Sequence, residues 1–148
     1  MADKFDSFSD LLRAALGDRL APADSLLGLF TDDVIFEFPY APDGLPKRLD
    51  GKAALAAHLE KLGPLLIFGP MELGSVHTAG DTVVFEFSCS GTGVNTGAPY
   101  NQKYISVVTV QEGRIAHYRD YWNPLVVLTA LGGTEAAAAA AAAYEGTA

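Results

Sequence analysis

Between Thr82 and Trp122 the chain alternates inner-facing and outer-facing residue types, and that alternation limits what it can fold into. Three runs share the pattern: Thr82–Ser90, Gln102–Gln111 and Arg114–Trp122. Successive side chains of a strand point to opposite faces, so each run splits into two sets. Phe85, Phe87 and Cys89 oppose Glu86 and Ser88; Tyr104, Ser106 and Val108 oppose Lys103, Ile105 and Val107. Tyr118, Asp120 and Trp122 oppose His117, Arg119 and Tyr121. Glu112-Gly113 joins the last two runs as a tight hairpin. Upstream, Met71–Thr78 reads as the partner of Thr82–Ser90 across a turn at Gly80-Asp81. Val34–Phe38 is a further strand, with Val34, Phe36 and Phe38 opposing Ile35 and Glu37. Gly91 to Pro99 reads as the loop between two long strands.

Helices occupy the N-terminal part. Phe5, Phe8, Leu12, Ala15 and Leu16 recur at three- and four-residue steps before a stop at Gly17-Asp18. Pro22 suits the start of a short second helix carrying Leu26, Leu27 and Phe30. A third runs from Lys52 to Leu62 and ends at Gly63-Pro64, with Leu55, His58, Leu59 and Leu62 on one face. Between the first strand and this helix, Pro39 to Leu49 is a proline-rich loop. Helices first and antiparallel strands after is the α+β pattern. The expected architecture is a cone-shaped, curved, mostly antiparallel sheet with three N-terminal helices packed over its concave face. One domain over residues 1–132 is expected, followed by an alanine-rich tail over 133–148 that reads as a frayed helix.

Charge excludes some partners. Ten basic residues face eighteen acidic ones, giving a formal net charge of −8 with no basic cluster. Neither phosphate backbones nor an acidic membrane surface would attract such a chain. No apolar stretch reaches the roughly 20 residues that a membrane span needs. The start, Met1-Ala2-Asp3-Lys4-Phe5-Asp6, lacks a basic region followed by an apolar run, which argues against a secretory signal. Cys89 is the only cysteine and can form no internal disulfide, consistent with a reducing cytoplasm. Three scattered histidines and one cysteine give no metal spacing, and no metal or cofactor is implied. Gly91-Thr92-Gly93 lacks the strand–glycine–helix context of a nucleotide site, and no serine sits in a nucleophile elbow.

If the first set of each strand lines the concave side, the pocket is aromatic with few polar groups. These would be Asp120, Ser106, the Tyr104 and Tyr118 hydroxyls, and His58 from the third helix. An apolar cleft with a few convergent polar groups is the usual form of a small-molecule site. A carboxylate among Phe, Tyr and Trp is disfavoured in its charged form, which moves Asp120 toward the range where it can exchange a proton near neutral pH. The alternatives are that Asp120 pairs with an arginine or caps a loop and that His58 is a satisfied core histidine. His77, on a strand with Leu73 and Ser75, reads as structural, and Cys89 as an apolar wall residue.

The stretches Leu29-Phe30-Thr31-Asp32-Asp33-Val34-Ile35-Phe36-Glu37-Phe38-Pro39, Gly51-Lys52-Ala53-Ala54-Leu55 and Gly113–Pro124 resemble the ketosteroid-isomerase-like superfamily, also called SnoaL-like or NTF2-like (cystatin-like). Ketosteroid isomerase itself is set aside by position: its base falls at Phe38, its oxyanion-hole acid at Ser106 and its tyrosine near Ala14. Limonene epoxide hydrolase shares the Arg119-Asp120-Tyr121 run, its water-activating acid matching Asp120. Its partner arginine and aspartate fall at Phe87 and Cys89, and its tyrosine and asparagine at Phe36 and Phe38. The phenazine-biosynthesis A/B proteins resemble this chain in an acid at Asp120, a following Asn-Pro and leucine-rich stretch, and a histidine at His58. The resemblance implies an isomerase, cyclase or dehydratase type of acid–base chemistry, free of cofactors, on a small apolar, cyclic molecule. Asp120 and His58 would be catalytic. Phe36, Phe38, Phe87, Tyr104, Ser106, Tyr118 and Trp122 would contact the ligand. The resemblance also implies a homodimer formed through the outer sheet face, with His117, Arg119 and Tyr121 as contacts. The alternatives are a non-catalytic binding protein of the same fold, or a protein-interaction domain.

Overall fold

The computed structural model describes residues 4–133 and Ala142; the remainder of the alanine-rich tail lies outside the described residues. The element order is β1 (Lys4–Phe5), α1 (Phe8–Leu16), β2 (Phe30–Glu37), β3 (Arg48–Asp50), α2 (Lys52–Leu62), β4 (Leu66–Ala79), β5 (Thr82–Gly93), β6 (Gln102–Gln111), β7 (Arg114–Trp122) and α3 (Pro124–Leu131). Among the described residues seven strands form one sheet in the order β1-β4-β5-β6-β7-β2-β3. Every pairing is antiparallel except β2 with β7, which run parallel. The α+β class read from the sequence is the one observed.

Strands β6 and β7 and helix α2 begin and end where the sequence pattern places them. At the β6–β7 turn, Glu112 and Gly113 have φ of 51° and 81°. Two positive φ values in a row give a two-residue turn whose twist matches the strands it joins. The inner set of each strand is buried apart from a half-buried Trp122: Val34, Phe85, Val108 and Tyr118 are fully so. Outer residues such as Lys103, Ile105 and Arg119 are exposed.

Several elements differ from the sequence reading: β1 and β3 are short strands where a helix start and a loop were expected, β5 runs on to Gly93 into the expected loop, and three further differences have local reasons. The second helix expected after Pro22 contracts to one 3-10 turn, Leu27–Leu29. Pro22 and Gly28 are weak helix formers, and Phe30 is taken by the sheet, where it pairs with Ile115. Strand β4 starts five residues before Met71, because Gly69-Pro70 is a break inside the strand and not its beginning. The register shifts between Phe68 and Met71, and Pro70 has no N–H to give the ladder. The third helix of the fold is therefore α3, near the other end of the chain. Asn123 caps it by accepting from the Leu125 N–H at 2.9 Å, Pro124 fills the first turn, and Gly132 ends it in the left-handed region.

These positions determine where the cavity lies. Helix α1 buries Leu11, Leu12, Ala15 and Leu16 and packs on β4, while α2 packs on β2 and β3. Helix α3 approaches the end of β5 so closely that a Cβ on Gly93 would stand 2.0 Å from the Ala130 carbonyl oxygen. The Thr96 hydroxyl donates to that same oxygen at 2.7 Å and fastens the helix there. No helix among the described residues is long and apolar enough to cross a membrane.

Candidate functional site

A cavity of about 300 Å³ lies between the inner sheet face and the three helices. Its wall is built from aromatic rings held in contact. Phe38 touches Phe36 at 5.1 Å between centroids, Trp122 at 6.1 Å and the imidazole of His58 at 5.0 Å. Phe87 stacks on Tyr104 at 4.3 Å with their planes 7° apart. From α2, Leu55, Leu59 and Leu62 border His58 on the same wall, and from α3 Val127 and Leu131 close another side. Asp6 and Ser7 also border the cavity.

The sequence-predicted residues divide into two groups. His58, Asp120, Phe36, Phe38, Phe87, Tyr104 and Trp122 all reach the cavity wall. Ser106 and Tyr118 do not; both are fully buried behind it. The Tyr118 ring is covered by Phe36, stacked at 4.4 Å with planes 5° apart, so Phe36 takes the place at the wall. Both were expected to contact a ligand; the structure places neither at the cavity wall. Ser106 lies opposite Asp120 in the β6–β7 register. Its Oγ is 2.6 Å from the Tyr118 hydroxyl and 3.5 Å from Asp120 Oδ1. Ser106 is thus the hydroxyl that faces the carboxyl, and Tyr118 bonds to Ser106.

Burial determines the charge state of the polar groups. Asp120 is 8% exposed, and its surroundings push its pKa well above the usual carboxylate value; the hydrogen bond from Ser106 opposes this only in part. His58 moves the other way, to about 4, first because burial disfavours the imidazolium and second because Lys61 carries a like charge. Tyr104 and Tyr118 are raised well above their ordinary value, chiefly by burial and then by neighbouring groups that include Asp120. Burial in the apolar cavity thus moves both groups in the same sense, each toward its neutral form.

Tyr100 was not anticipated. It comes from the β5–β6 loop, where its N–H donates to the Gly91 carbonyl at 2.8 Å and turns the chain inward. Its ring packs edge-on against Phe68, and its hydroxyl is 2.9 Å from that of Tyr104. Burial raises its pKa to about 12. The only sequence signal was a large aromatic residue directly after Ala98-Pro99 in an otherwise polar loop. Cys89 is buried with its thiol 3.1 Å from the Ser90 carbonyl, in the core and away from the cavity wall. His77 is exposed on β4. On the outer sheet face Glu37 Oε1 contacts His117 Nε2 and lies 3.7 Å from Arg119 Nε. Among the described residues, no three metal-ligating side chains gather.

Comparison with known proteins gives a consistent result. Residues 13–118 match the family model described as a SnoaL-like domain. The chain is 45% identical to the uncharacterised protein YesE of Bacillus subtilis, over 90% of this chain and 93% of that protein. It is 40% identical to an uncharacterised PhzA/B-like protein of Pseudomonas aeruginosa, over 74% of this chain and 79% of the relative. A crystal structure of a candidate isomerase from Bacillus subtilis superposes with a TM-score of 0.71 at 41% identity, over 82% of this chain and 86% of that one.

Proposed function

The chain belongs to the SnoaL-like domain family, and on that premise we propose that it is a cofactor-independent acid–base enzyme acting on a small, apolar, cyclic molecule. The observation that carries this reading is one apolar cavity lined by both Asp120 and His58, each shifted by burial toward its neutral form. Asp120 gives a proton to the ligand and His58 accepts one from it; once the product leaves, the imidazolium releases its proton to solvent and the carboxylate takes one up, so both regain their starting forms. Moving a proton between two points of one molecule is the common step of isomerisation, cyclisation and dehydration. Ser106, itself bonded to Tyr118, faces the carboxyl, and the apolar wall favours the neutral forms of both groups.

Incubation in D2O with a panel of cyclic ketones and alkenes tests this, with deuterium uptake read by mass spectrometry. The wild-type protein is expected to label ring carbons of at least one member, and Asp120→Asn to lose the labelling while still folding and retaining the ligand. Equal labelling by the variant ends the proposal. The small number of polar groups on the wall favours a second reading, a binding protein. Tight retention of a panel member with no label in the wild type would support it.

We also propose that two copies pair through the outer sheet face. Ile105 and Tyr40 are exposed there, and Tyr40 meets Tyr121 at 5.3 Å. Sedimentation is expected to give a dimer for the wild type and a monomer for Ile105→Glu; a monomeric wild type overturns it.

A further inference from the structure

We infer that Gln102 is a positioning residue for the cavity: its side-chain amide holds Trp122 and helix α3 at the wall and thereby limits the size of ligand admitted. The inference rests on the cavity being the ligand site, the reading proposed above.

Gln102 opens β6 and is fully buried, yet it does not reach the cavity wall. A buried primary amide is costly unless its N–H groups and its oxygen find partners. Here they find them at the junction between β7 and α3. The β6–β7 ladder ends with Tyr104 opposite Trp122. The next residue, Asn123, leaves the ladder to cap α3, and Pro124 after it has no N–H to offer. The Gln102 side chain takes the place of the missing strand. Its Nε2 donates to the Asn123 carbonyl at 2.9 Å, and its Oε1 accepts the Asn123 N–H at 2.9 Å. The same oxygen accepts the Lys103 N–H at 3.2 Å. Holding both backbone groups of Asn123 sets the direction in which the chain leaves the sheet.

Three parts of the wall depend on that point. Trp122 directly precedes Asn123 and lines the cavity, and α3 follows with Val127 and Leu131 on the same wall. Tyr100 is the third: burial raises its pKa, and hydrogen bonds with Tyr104 and Gln102 oppose the rise. Apolar contacts are non-directional, so they alone would let α3 slide over the cavity. Polar bonds fix it at both ends, Gln102 to Asn123 at one and Thr96 to the Ala130 carbonyl at the other. A ligand that fits leaves these bonds intact. One that is too large pushes α3 outward and breaks the pair at Asn123.

Naphthalene and pyrene, flat hydrocarbons of different size without polar groups, are the probes. Their binding to the full chain, to Gln102→Met and to Gln102→Glu is measured by equilibrium dialysis from pH 5 to 9. The emission of Trp122, the only tryptophan in the chain, is recorded without ligand over the same range. Gln102→Met keeps the length of the side chain and neither bond to Asn123. In Gln102→Glu a protonated carboxyl replaces both bonds, its O–H donating to the Asn123 carbonyl and its other oxygen accepting the N–H. Once ionised, it loses the donor and repels the carbonyl oxygen. The ratio of pyrene to naphthalene affinity should rise about tenfold in Gln102→Met, because the bonds that pyrene must break in the wild type are already gone. Gln102→Glu should match the wild type at pH 5 and approach Gln102→Met as the pH rises. Its Trp122 emission should move to longer wavelength over the same interval, beyond any change in the wild type. A role in stability alone would lower the unfolding midpoint without moving the ratio. Variants that keep the wild-type ratio and emission at every pH overturn the inference and leave the acid–base reading to the deuterium experiment. Should Gln102→Met not fold, Gln102→Glu decides, and a flat profile overturns the inference. Failure of both probes to bind the wild type overturns the size limit together with the cavity reading.

Discussion

Replacing His58 by leucine should remove a large, specific dependence of stability on pH. His58 is 8% exposed beside Leu55, Leu59 and Leu62, so a leucine keeps the apolar contacts of that helix face. In the folded protein its pKa is lowered from 6.5 to about 4. Between those values the unfolded chain binds a proton that the folded one refuses. Stability from this group is therefore complete above pH 6.5 and is lost as the pH falls through 4. One pKa unit corresponds to about 1.4 kcal/mol, so the loss between pH 7 and pH 4 comes to about 3 kcal/mol, with about 2 kcal/mol gone by pH 5. Asp120 titrates with the opposite sign in part of this window, so the comparison belongs in an Asp120→Asn background. Urea unfolding of Asp120→Asn and Asp120→Asn/His58→Leu, from pH 4 to 7.5, gives the difference directly. The advantage of the histidine form should fall steadily by about 3 kcal/mol over that range. A difference that stays constant within about 0.5 kcal/mol would mean that His58 titrates as a solvated imidazole, and the argument from burial would be refuted.

Asp120→Asn alone should stabilise the protein increasingly as the pH rises. The folded pKa is raised above 3.8, so the wild type loses stability from this group as the pH climbs from 3.8 through the folded value, and the amide does not. The gain in urea midpoint should be larger at pH 8 than at pH 4; a gain independent of pH contradicts the assigned cause. Gly93→Ala would place a Cβ 2.0 Å from the Ala130 carbonyl and 2.7 Å from the Thr96 hydroxyl, groups already fixed to each other. It should cost about 1–3 kcal/mol by overpacking, lower the melting temperature and weaken ligand retention as Val127 and Leu131 shift. An unchanged melting temperature would show that α3 moves aside freely.

Much of this was legible before the coordinates. Strict alternation from Thr82 to Trp122 identified the buried face, because a strand buried on one side leaves that imprint whatever surrounds it. The exceptions lie where local signals compete or where distant segments meet. Helix α3 carried its own signals, Asn123-Pro124 at one end and Gly132-Gly133 at the other, but its leucine-rich interior has no polar stripe to mark a period. Tyr100 was hidden because its direction depends on a loop bond to Gly91. Alternation places Tyr118 and Ser106 on the inner face, yet it cannot tell a cavity wall from the layer beneath. That distinction came from Phe36, which stacks over Tyr118 from a neighbouring strand.

The account depends most on two protonation states coexisting in one cavity, and a single NMR titration reads both. Protein labelled with 13C at the aspartate carboxyls and 15N in the imidazoles is followed from pH 3.5 to 8, with Asp120→Asn and His58→Leu assigning the signals. The account predicts a neutral His58 ring down to about pH 4 and an Asp120 carboxyl that stays protonated well above the usual carboxylate range. An imidazolium forming near 6.5 together with a carboxylate forming near 3.8 would contradict it, leaving at neutral pH no protonated acid in the cavity.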